Sequence, residues 1–254
     1  MDILSVKEIL VNLNVDANVL IFDSLESTNI TAKDLTVKGK PHGTVLIANG
    51  LTAARGRRGR SFYAPKGAGI YMSIILRPDK NAANLPELIT ILAAVSVCEA
   101  IEKVCGRLPK VKWINDIFLN DKKICGILAE AVMDNNYELQ SIILGIGINF
   151  VEAQVPDELK DIVGSIFTKG ENVIATRNQL IAEVLNNVLT SNEWTKTLES
   201  YKKRLFMLGR KVRVESSEPY VATAIDVDKR GRLLVRDLDG EVHTLDSGEI
   251  SVKM

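Results

Sequence analysis

Short apolar runs alternate with longer segments of helical spacing over most of the chain. The short runs are bounded by Gly, Pro or polar residues and have the length of single strands. They predict strands at 18–22, 44–48, 70–76, 111–119, 123–132 and 139–150, with a polar turn at Asn120 and Asp121 joining the fourth to the fifth. One helix is predicted to begin after Ser27 and to extend toward Leu35. Three more are predicted to begin near Pro86, at Arg177 and at Trp194. This order predicts an α+β domain in which a mixed β-sheet packs with helices.

The pattern changes at Gly209. Four short alternating segments follow, at 211–215, 220–227, 232–236 and 241–245, and turn residues at 229–231 and 239–240 join them as hairpins. We therefore expect a catalytic domain over residues 1–207 and a small C-terminal SH3-like β-barrel over residues 208–254.

Composition narrows the functional class. Of 254 residues, 46% are hydrophobic and 25% charged, as in folded proteins, and the formal net charge of +0 argues against a dedicated nucleic-acid binder. The most apolar stretch, 88–101, is interrupted by polar residues and is too short for a membrane span. The first residues lack a signal-peptide pattern, so we expect a cytoplasmic protein.

Cysteine and histidine are too few for several kinds of site. Cys98, Cys105 and Cys125 lack C-x-x-C spacing, which disfavours disulfides and zinc, and the first two fit the apolar face of the helix after Pro86. The only histidines are His42 and His243. Chemistry in this chain would therefore depend on carboxylates, lysines and arginines.

Four arginines and two glycines make up residues 55–60, a segment called here the arginine loop. Crowded guanidinium groups repel one another unless an anion lies among them, and glycines let backbone N–H groups approach that anion. A solvated basic loop or a nucleic-acid patch is the alternative. Neutral overall charge and the lack of interleaved aromatic residues favour a clamp over a small anionic ligand.

Two further segments place cations beside apolar strands. Lys112, Asn115 and Asp116 lie within five residues, where Lys112 could hold a phosphate and Asp116 could hold Mg²⁺ or orient a nucleotide. Lys123 precedes a nearly apolar strand, so its ammonium is expected at a pocket wall. Routine polar strand ends and an exposed lysine are the alternatives.

Together these segments resemble one family, the biotin protein ligases. The arginine loop resembles that family's biotin-adenylate loop, and Ser27-Thr28-Asn29 its biotin-pocket segment. Residues 112–116, 123–128 and 145–149 are similar to its Lys-Trp-Pro-Asn-Asp, Lys-x-x-Gly-Ile-Leu and Gly-Ile-Gly-Ile-Asn segments. All five segments occur in the family's order.

The resemblance implies a two-step ligase. Biotin and ATP would form biotinyl-5′-AMP, with Mg²⁺ as the accompanying ion, and biotin would then pass to a lysine of a biotin carboxyl carrier domain. The implied catalytic residues are Lys123, Arg57 and Lys112. The implied biotin-binding residues are Ser27, Thr28, Asn29, Leu51, Arg55, Gly56, Arg57, Lys123 and Gly126. The implied nucleotide-binding residues are Arg58, Arg60, Lys112, Asn115, Asp116 and Asn149, with Asp116 also the metal ligand.

The chain departs from the family pattern at several positions. Leu51 stands where the family usually has a glutamine that hydrogen-bonds the biotin ring. Loss of that hydrogen-bond partner would weaken biotin binding by roughly 1–3 kcal/mol. Ala54, Ile114, Phe62 and Ala64 replace Gly, Pro, Trp and Ser. Leu51 leaves open an alternative in which the protein is a lipoate- or octanoate-type ligase of the same fold.

A biotin-sensing DNA-binding repressor is a further alternative. Only residues 1–26 precede Ser27, which is too short for a helix-turn-helix domain, so we expect no DNA binding. The expected partner is the carrier domain, without membrane association, and the expected assembly is a monomer or weak homodimer.

Overall fold

The larger sheet holds seven strands and forms the floor of the candidate site. The structure is a computed structural model that describes residues 2–77, 86–191, 193–246 and 249–252. The strands are β1 Asn18–Phe22, β2 Thr44–Ala48, β3 Gly69–Leu76, β4 Lys110–Lys112, β5 Asp116–Leu119, β6 Lys122–Met133 and β7 Leu139–Asn149. Their order in the sheet is β1-β2-β3-β7-β6-β5-β4; β1 and β2 pair in parallel and the other pairs are antiparallel.

Helices cover this sheet and enclose its apolar core. They are α1 Val6–Val11, α2 Thr28–Val37, α3 Pro86–Cys105, α4 Arg177–Thr190 and α5 Trp194–Arg204. Every residue of β2 and β3 is buried, as expected of near-continuous apolar strands. Helix α3 packs against α4, α5 and β6, and it ends before Gly106, whose φ is +63°. The predicted α+β class is confirmed.

The cysteines are part of this core. Cys98, Cys105 and Cys125 are all free and buried, so the prediction that the first two pack inside α3's apolar face is confirmed. Burial raises the pKa of the Cys98 and Cys105 thiols to about 12. They are therefore unsuited to act as nucleophiles near neutral pH.

One predicted strand is wrong. Residues 111–119 form two short antiparallel strands, β4 and β5, with a turn at residues 113–115. Asn115 stabilises that turn, because its Nδ2 donates to the carbonyl of Ile127 at 2.9 Å and its own carbonyl accepts from the Ile127 N–H at 3.1 Å. Both bonds come from β6, so the local pattern of apolar residues did not reveal the turn.

The C-terminal residues form a separate five-stranded antiparallel sheet. Its strands are β8 Lys211–Glu215, β9 Tyr220–Val227, β10 Leu233–Arg236, β11 Val242–Leu245 and β12 Glu249–Val252, and their order in the sheet is β11-β10-β9-β8-β12. The predicted turns at 229–231 and 239–240 are confirmed, whereas α1 and β12 were not predicted. The domain limits at 207 and 208 stay a prediction.

Indole groups of the first unit join it to the C-terminal sheet. Trp113 donates from Nε1 to the carbonyl of Gly231 at 2.9 Å, and Trp194 donates to the carbonyl of Lys229 at 3.0 Å. Trp113 adjoins Lys112 in the predicted site, so the β9–β10 turn is linked directly to it. Among the described helices, none is long and apolar enough to cross a bilayer.

Candidate active site

A cavity of about 480 Å³ opens between the larger sheet, the arginine loop and the edge of the C-terminal sheet. Most residues predicted for the site line it: Ser27, Thr28, Asn29, Leu51, Arg55, Gly56, Arg57, Arg60, Lys112, Asn115, Asp116, Lys123 and Gly126. The Arg58 side chain lies outside the described part. Asn149 instead lines a second cavity of about 400 Å³, and Tyr71 contributes to both cavities.

The start of helix α2 forms a polar wall of the first cavity. Ser27 is the N-cap residue of α2, but its hydroxyl makes no capping hydrogen bond. Thr28 and Asn29 follow, and both are buried. The Ser73 Oγ atom on β3 lies 2.7 Å from Thr28 Oγ1 and 2.6 Å from Asn29 Oδ1. This wall can therefore offer hydrogen bonds to a small polar head group.

The arginine loop is a narrow turn over the cavity. Gly56 N–H donates to the Arg60 carbonyl at 2.7 Å, and residues Arg57–Gly59 form one 3₁₀ turn. Arg57 Nη1 lies 3.4 Å from Asn115 Oδ1, which brings this guanidinium to the β4–β5 hairpin. Arg55 lies 3.8 Å from Glu26, and both side chains are more than half exposed, so this pair adds little.

A lysine and an aspartate face each other at the other wall. Lys123 Nζ lies 2.7 Å from Asp116 Oδ1, and both side chains are mostly buried. The backbone of Lys123 is held by residues 162 and 164, because its N–H donates to Ile162 and its carbonyl accepts from Gly164. The predicted location of Lys123 at a pocket wall agrees with this position.

Two facing glycines form the floor beneath the loop. Gly126 of β6 pairs with Gly147 of β7, and the Phe62 ring lies over them. A Cβ on Gly147 would lie 2.8 Å from Phe62 Cε1, closer than real side chains approach. Phe62 also meets Tyr71 edge to face at 6.4 Å. The missing side chains therefore allow an aromatic ring to close over the sheet.

The C-terminal sheet contributes a carboxylate to the cavity. Glu215 and Ser251 both line it, and Ser251 Oγ donates to Glu215 Oε1 at 2.7 Å. This hydrogen bond lowers the pKa of Glu215, with smaller contributions from Arg213 and the positive charge of Lys112. No sequence pattern pointed to Glu215, because this residue lies on a different sheet and belongs to none of the motifs.

Glu130 and Ser73 were also missed. Glu130 Oε2 accepts from Asn29 Nδ2 at 2.7 Å, and Glu130 Oε1 lies 2.6 Å from Lys33 Nζ. A carboxylate within the largely apolar β6 was the available signal for Glu130. The buried Ser73 gave none, since serine is common in strands.

The residues present do not form a metal cage. In the described ranges, no group of three His, Cys, Asp or Glu side chains is placed to bind a metal ion. Asp116 is a single carboxylate with an ammonium 2.7 Å away. A Mg²⁺ ion at this place would need phosphate oxygens as further ligands, which is how proteins commonly hold Mg²⁺ with nucleotides.

Family models match both units of the chain. The model of the biotin/lipoate A/B protein ligase family matches residues 21–149, which include the polar wall, the arginine loop and both lysine segments. The chain belongs to the biotin/lipoate A/B protein ligase family. A model of the biotin protein ligase C-terminal domain matches residues 207–253.

Individual members of the family show the same likeness. The bifunctional ligase/repressor BirA of Bacillus subtilis is 44% identical over 146 residues, 57% of this chain but only 44% of that protein's length. The biotin–[acetyl-CoA-carboxylase] ligase of Mycobacterium tuberculosis is 28% identical over 90% of this chain and 87% of its own. A solved structure, the biotin protein ligase from Aquifex aeolicus in complex with biotin and ATP, matches with a TM-score of 0.78 at 25% identity, covering 93% of this chain and 98% of that one.

Proposed function

We propose that this protein is an ATP-dependent biotin protein ligase. It joins biotin and ATP to form biotinyl-5′-AMP and then transfers biotin to a lysine of a biotin carboxyl carrier domain. The observation that carries the proposal is one cavity of about 480 Å³ that combines the polar wall at Ser27–Asn29 with the cations Arg55, Arg57, Lys112 and Lys123. Relatives named as biotin ligases support it.

The two ends of the cavity fit the two substrates. The biotin ring would lie at the polar wall near Leu51, with its carboxylate directed toward Lys123. The α-phosphate would then meet Arg57 and Lys112, and the adenosine would extend toward Asn149 and the second cavity, which shares Tyr71 with the first. Arg58 and Arg60 would add positive charge for the remaining phosphates.

In the first step the biotin carboxylate attacks the α-phosphorus, and the bond to the bridging oxygen of pyrophosphate breaks. This step brings two anions together and builds negative charge on the phosphoryl oxygens. Lys123 would hold the carboxylate, and Arg57 would stabilise the phosphoryl oxygens. Mg²⁺ would arrive with ATP and shield the leaving pyrophosphate.

In the second step the carrier lysine attacks the acyl carbon, the bond to AMP oxygen breaks, and the ammonium proton is released. Biotinyl-5′-AMP is a mixed anhydride that water hydrolyses, so the site must exclude water before the carrier arrives. The arginine loop and the Phe62 ring form the cover over Gly126 and Gly147. The chain requires no cysteine or histidine nucleophile for either step.

The test is pyrophosphate exchange into ATP, run separately with biotin, lipoate and octanoate. Exchange that depends on biotin, followed by labelling of a carrier domain, is the expected result. Leu51 makes one wall apolar, which favours a less polar acid, so exchange with lipoate or octanoate alone would assign the protein to the other branch of the family. Exchange with none of the three acids would refute the ligase activity.

A further inference from the structure

A buried arginine lies at the base of the segment that carries the arginine loop. Arg177 is the first residue of α4, and its side chain is 2% exposed. Its Nε donates to Asp2 Oδ1 at 2.8 Å, and its Nη2 donates to the Asp2 carbonyl at 2.7 Å. Its Nη1 donates to Asn49 Oδ1 at 2.9 Å and to the Gly69 carbonyl at 3.3 Å. One guanidinium therefore links the N-terminal residues, the end of β2 and the start of β3.

Both ends of the excursion between β2 and β3 meet at this guanidinium. Residues 50–68, called here the loop ribbon, connect the two strands and contain the arginine loop. Asn49 precedes the loop ribbon and Gly69 follows it, so Arg177 Nη1 holds both ends through a single atom. The carbonyl of Asn49 also accepts from the Gly67 N–H at 2.8 Å, which closes the same end.

Backbone hydrogen bonds join the two arms of the loop ribbon from its base to its tip. Three pairs follow in order along the arms, at 3.2, 3.0 and 2.7 Å: Leu51 with Ala64, Phe62 with Ala54, and Gly56 with Arg60. Arms joined in this way move together, so a tilt at the base is carried to the tip. The arginine loop at the tip therefore takes its orientation over the cavity from the base that Arg177 holds.

The partner of Arg177 determines how the guanidinium meets that base. A guanidinium is planar and its donors point in fixed directions, so Asp2 on one edge sets the direction of Nη1 on the other. Asp2 is itself mostly buried, with 17% of its side chain exposed, and its Oδ2 accepts from the Arg177 backbone N–H at 2.6 Å. Desolvation of two buried charges offsets much of their attraction, so the pair is better explained by the geometry that it imposes.

We propose that Arg177, oriented by Asp2, is a positioning residue for the arginine loop, which it keeps over the cavity while biotinyl-5′-AMP is bound. Arg177 is not one of the described residues that line the cavity, so it acts on the reaction only through the loop ribbon. The inference rests on the proposed function and extends it to a residue outside the site. A displaced base would let the adenylate leave, or let water reach it, before a carrier lysine arrives.

The anchoring is measured first without ligand, by amide hydrogen exchange of the loop ribbon. Arg177→Gln cannot reach Asp2 and both ends of the ribbon at once, so exchange at residues 51–62 should become roughly tenfold faster. Asp2→Ala leaves the arginine in place without its orienting partner and should give a smaller increase, of about threefold. Asp2→Asn keeps an acceptor oxygen for Nε and should lie between Asp2→Ala and wild type.

The effect on the site is measured with chemically prepared biotinyl-5′-AMP, so that binding does not depend on turnover. Its dissociation from Arg177→Gln should be roughly tenfold faster, because such changes act mainly on the dissociation rate. The affinity for biotin alone should change by less than about threefold, since the polar wall at the start of α2 is untouched. A protein that was only less stable would not show this difference between the two ligands.

Asn178→Ala is the matched control. Asn178 is the next residue of α4 and joins the same N-terminal residues, but its described hydrogen bonds go to residues 3, 5 and 8 and not to the loop ribbon. Exchange of the ribbon and dissociation of biotinyl-5′-AMP should both stay at the wild-type rate in this variant.

The outcomes separate the anchoring from the ligase activity. Ribbon exchange that stays at the wild-type rate in Asp2→Ala would overturn the inference, whether or not Arg177→Gln folds. Faster exchange with unchanged dissociation of biotinyl-5′-AMP would contradict the role in retention. Equal increases in Asn178→Ala would also reject it, because they would indicate general loosening around α4. Wild-type protein that binds biotinyl-5′-AMP and shows these differences, but no pyrophosphate exchange, would refute the ligase activity alone.

Discussion

Lys123 Nζ and Asp116 Oδ1 lie 2.7 Å apart across the antiparallel strands β5 and β6, with 27% and 23% of their side chains exposed. The carboxylate holds the ammonium at the wall of the cavity. Because both side chains are mostly buried, the cost of desolvating the two charges offsets much of their attraction, and the pair adds little net folding stability. It does orient a positive charge where an anionic substrate would arrive. The pair is therefore better explained by positioning than by stability.

Replacement of Lys123 tests that explanation. Lys123→Ala should slow adenylation by roughly 10²–10³-fold, the usual result of removing one preorganised donor. The melting temperature should change little. Single-turnover formation of biotinyl-5′-AMP measures the adenylation rate. Asp116→Asn keeps Lys123 but removes the carboxylate that holds it, so this variant should slow adenylation less than Lys123→Ala. A Lys123→Ala rate within about threefold of wild type would show that the lysine is merely solvated.

Arg57 tests the role of the arginine loop as a cover. Arg57→Gly removes the contact with Asn115 at 3.4 Å and one charge near the adenylate, so activated biotin should escape. Mass spectrometry should then find biotin on lysines of bystander proteins. Arg57→Lys keeps the charge without the planar fork and should give an intermediate level. Bystander labelling at the wild-type level in Arg57→Gly would contradict the role.

The turn that contacts Trp113 should be sensitive to acid. Partial desolvation alone would raise the pKa of Asp228, but hydrogen bonds from the Arg232 side chain and from the backbone of Arg232 and Arg230 outweigh it and lower that pKa. The stabilisation is therefore complete above the unfolded pKa of about 3.9 and is lost as pH falls through the lower folded value. Asp228→Asn should lower the melting temperature at pH 7.

The same variant should lose less further stability than wild type between about pH 5 and pH 2. Asp239→Asn, at an exposed position in the β10–β11 turn, is the control and should behave like wild type. Parallel melting curves for Asp228→Asn and wild type across this range would contradict the assignment of the acid sensitivity to Asp228.

Strands with a continuous apolar run or a clear apolar–polar alternation could be predicted from the sequence because local pattern alone determines them. The bounds of β1, β2, β8 and β9 agree with the prediction residue for residue. The β4–β5 turn could not be predicted, because its hydrogen bonds come from Ile127 on another strand. Helix α1 is only six residues long and shows too little periodicity to be found.

In the candidate site, too, residues recognisable from local sequence could be predicted, whereas residues placed by contacts with distant parts of the chain could not. Residues inside short motifs could be predicted, since their chemistry is visible within a few positions, and thirteen of the fifteen predicted site residues line one cavity. The contacts of Glu130 and Ser73 with Asn29 could not be predicted, because these residues lie 101 and 44 positions from Asn29 along the chain and meet it only where α2 packs on the sheet. Glu215 could not be predicted either, because it reaches the cavity from a strand of the C-terminal sheet. Sequence motifs identified groups that line the cavity, but not the residues behind them.

Leu51 is one of the cavity residues at which this chain departs from the family pattern. Its side chain lines the cavity and is partly buried, while its backbone N–H donates to the Ala64 carbonyl at 3.2 Å. The backbone is therefore fixed, and a longer polar side chain would extend into the cavity. Leu51→Gln should tighten biotin binding roughly tenfold, about 1.4 kcal/mol, because it restores an amide partner for the ring.

Calorimetry with a thermal melt on the same variant distinguishes three results. Tighter binding at an unchanged melting temperature supports a direct contact between position 51 and the ring. Unchanged binding means that a backbone group or a water already serves that ring atom. A lower melting temperature without tighter binding would show that Leu51 packs as core, where a buried amide costs about 1–3 kcal/mol. Since Leu51 lines the cavity and is not among the residues of the hydrophobic core, the first result is expected.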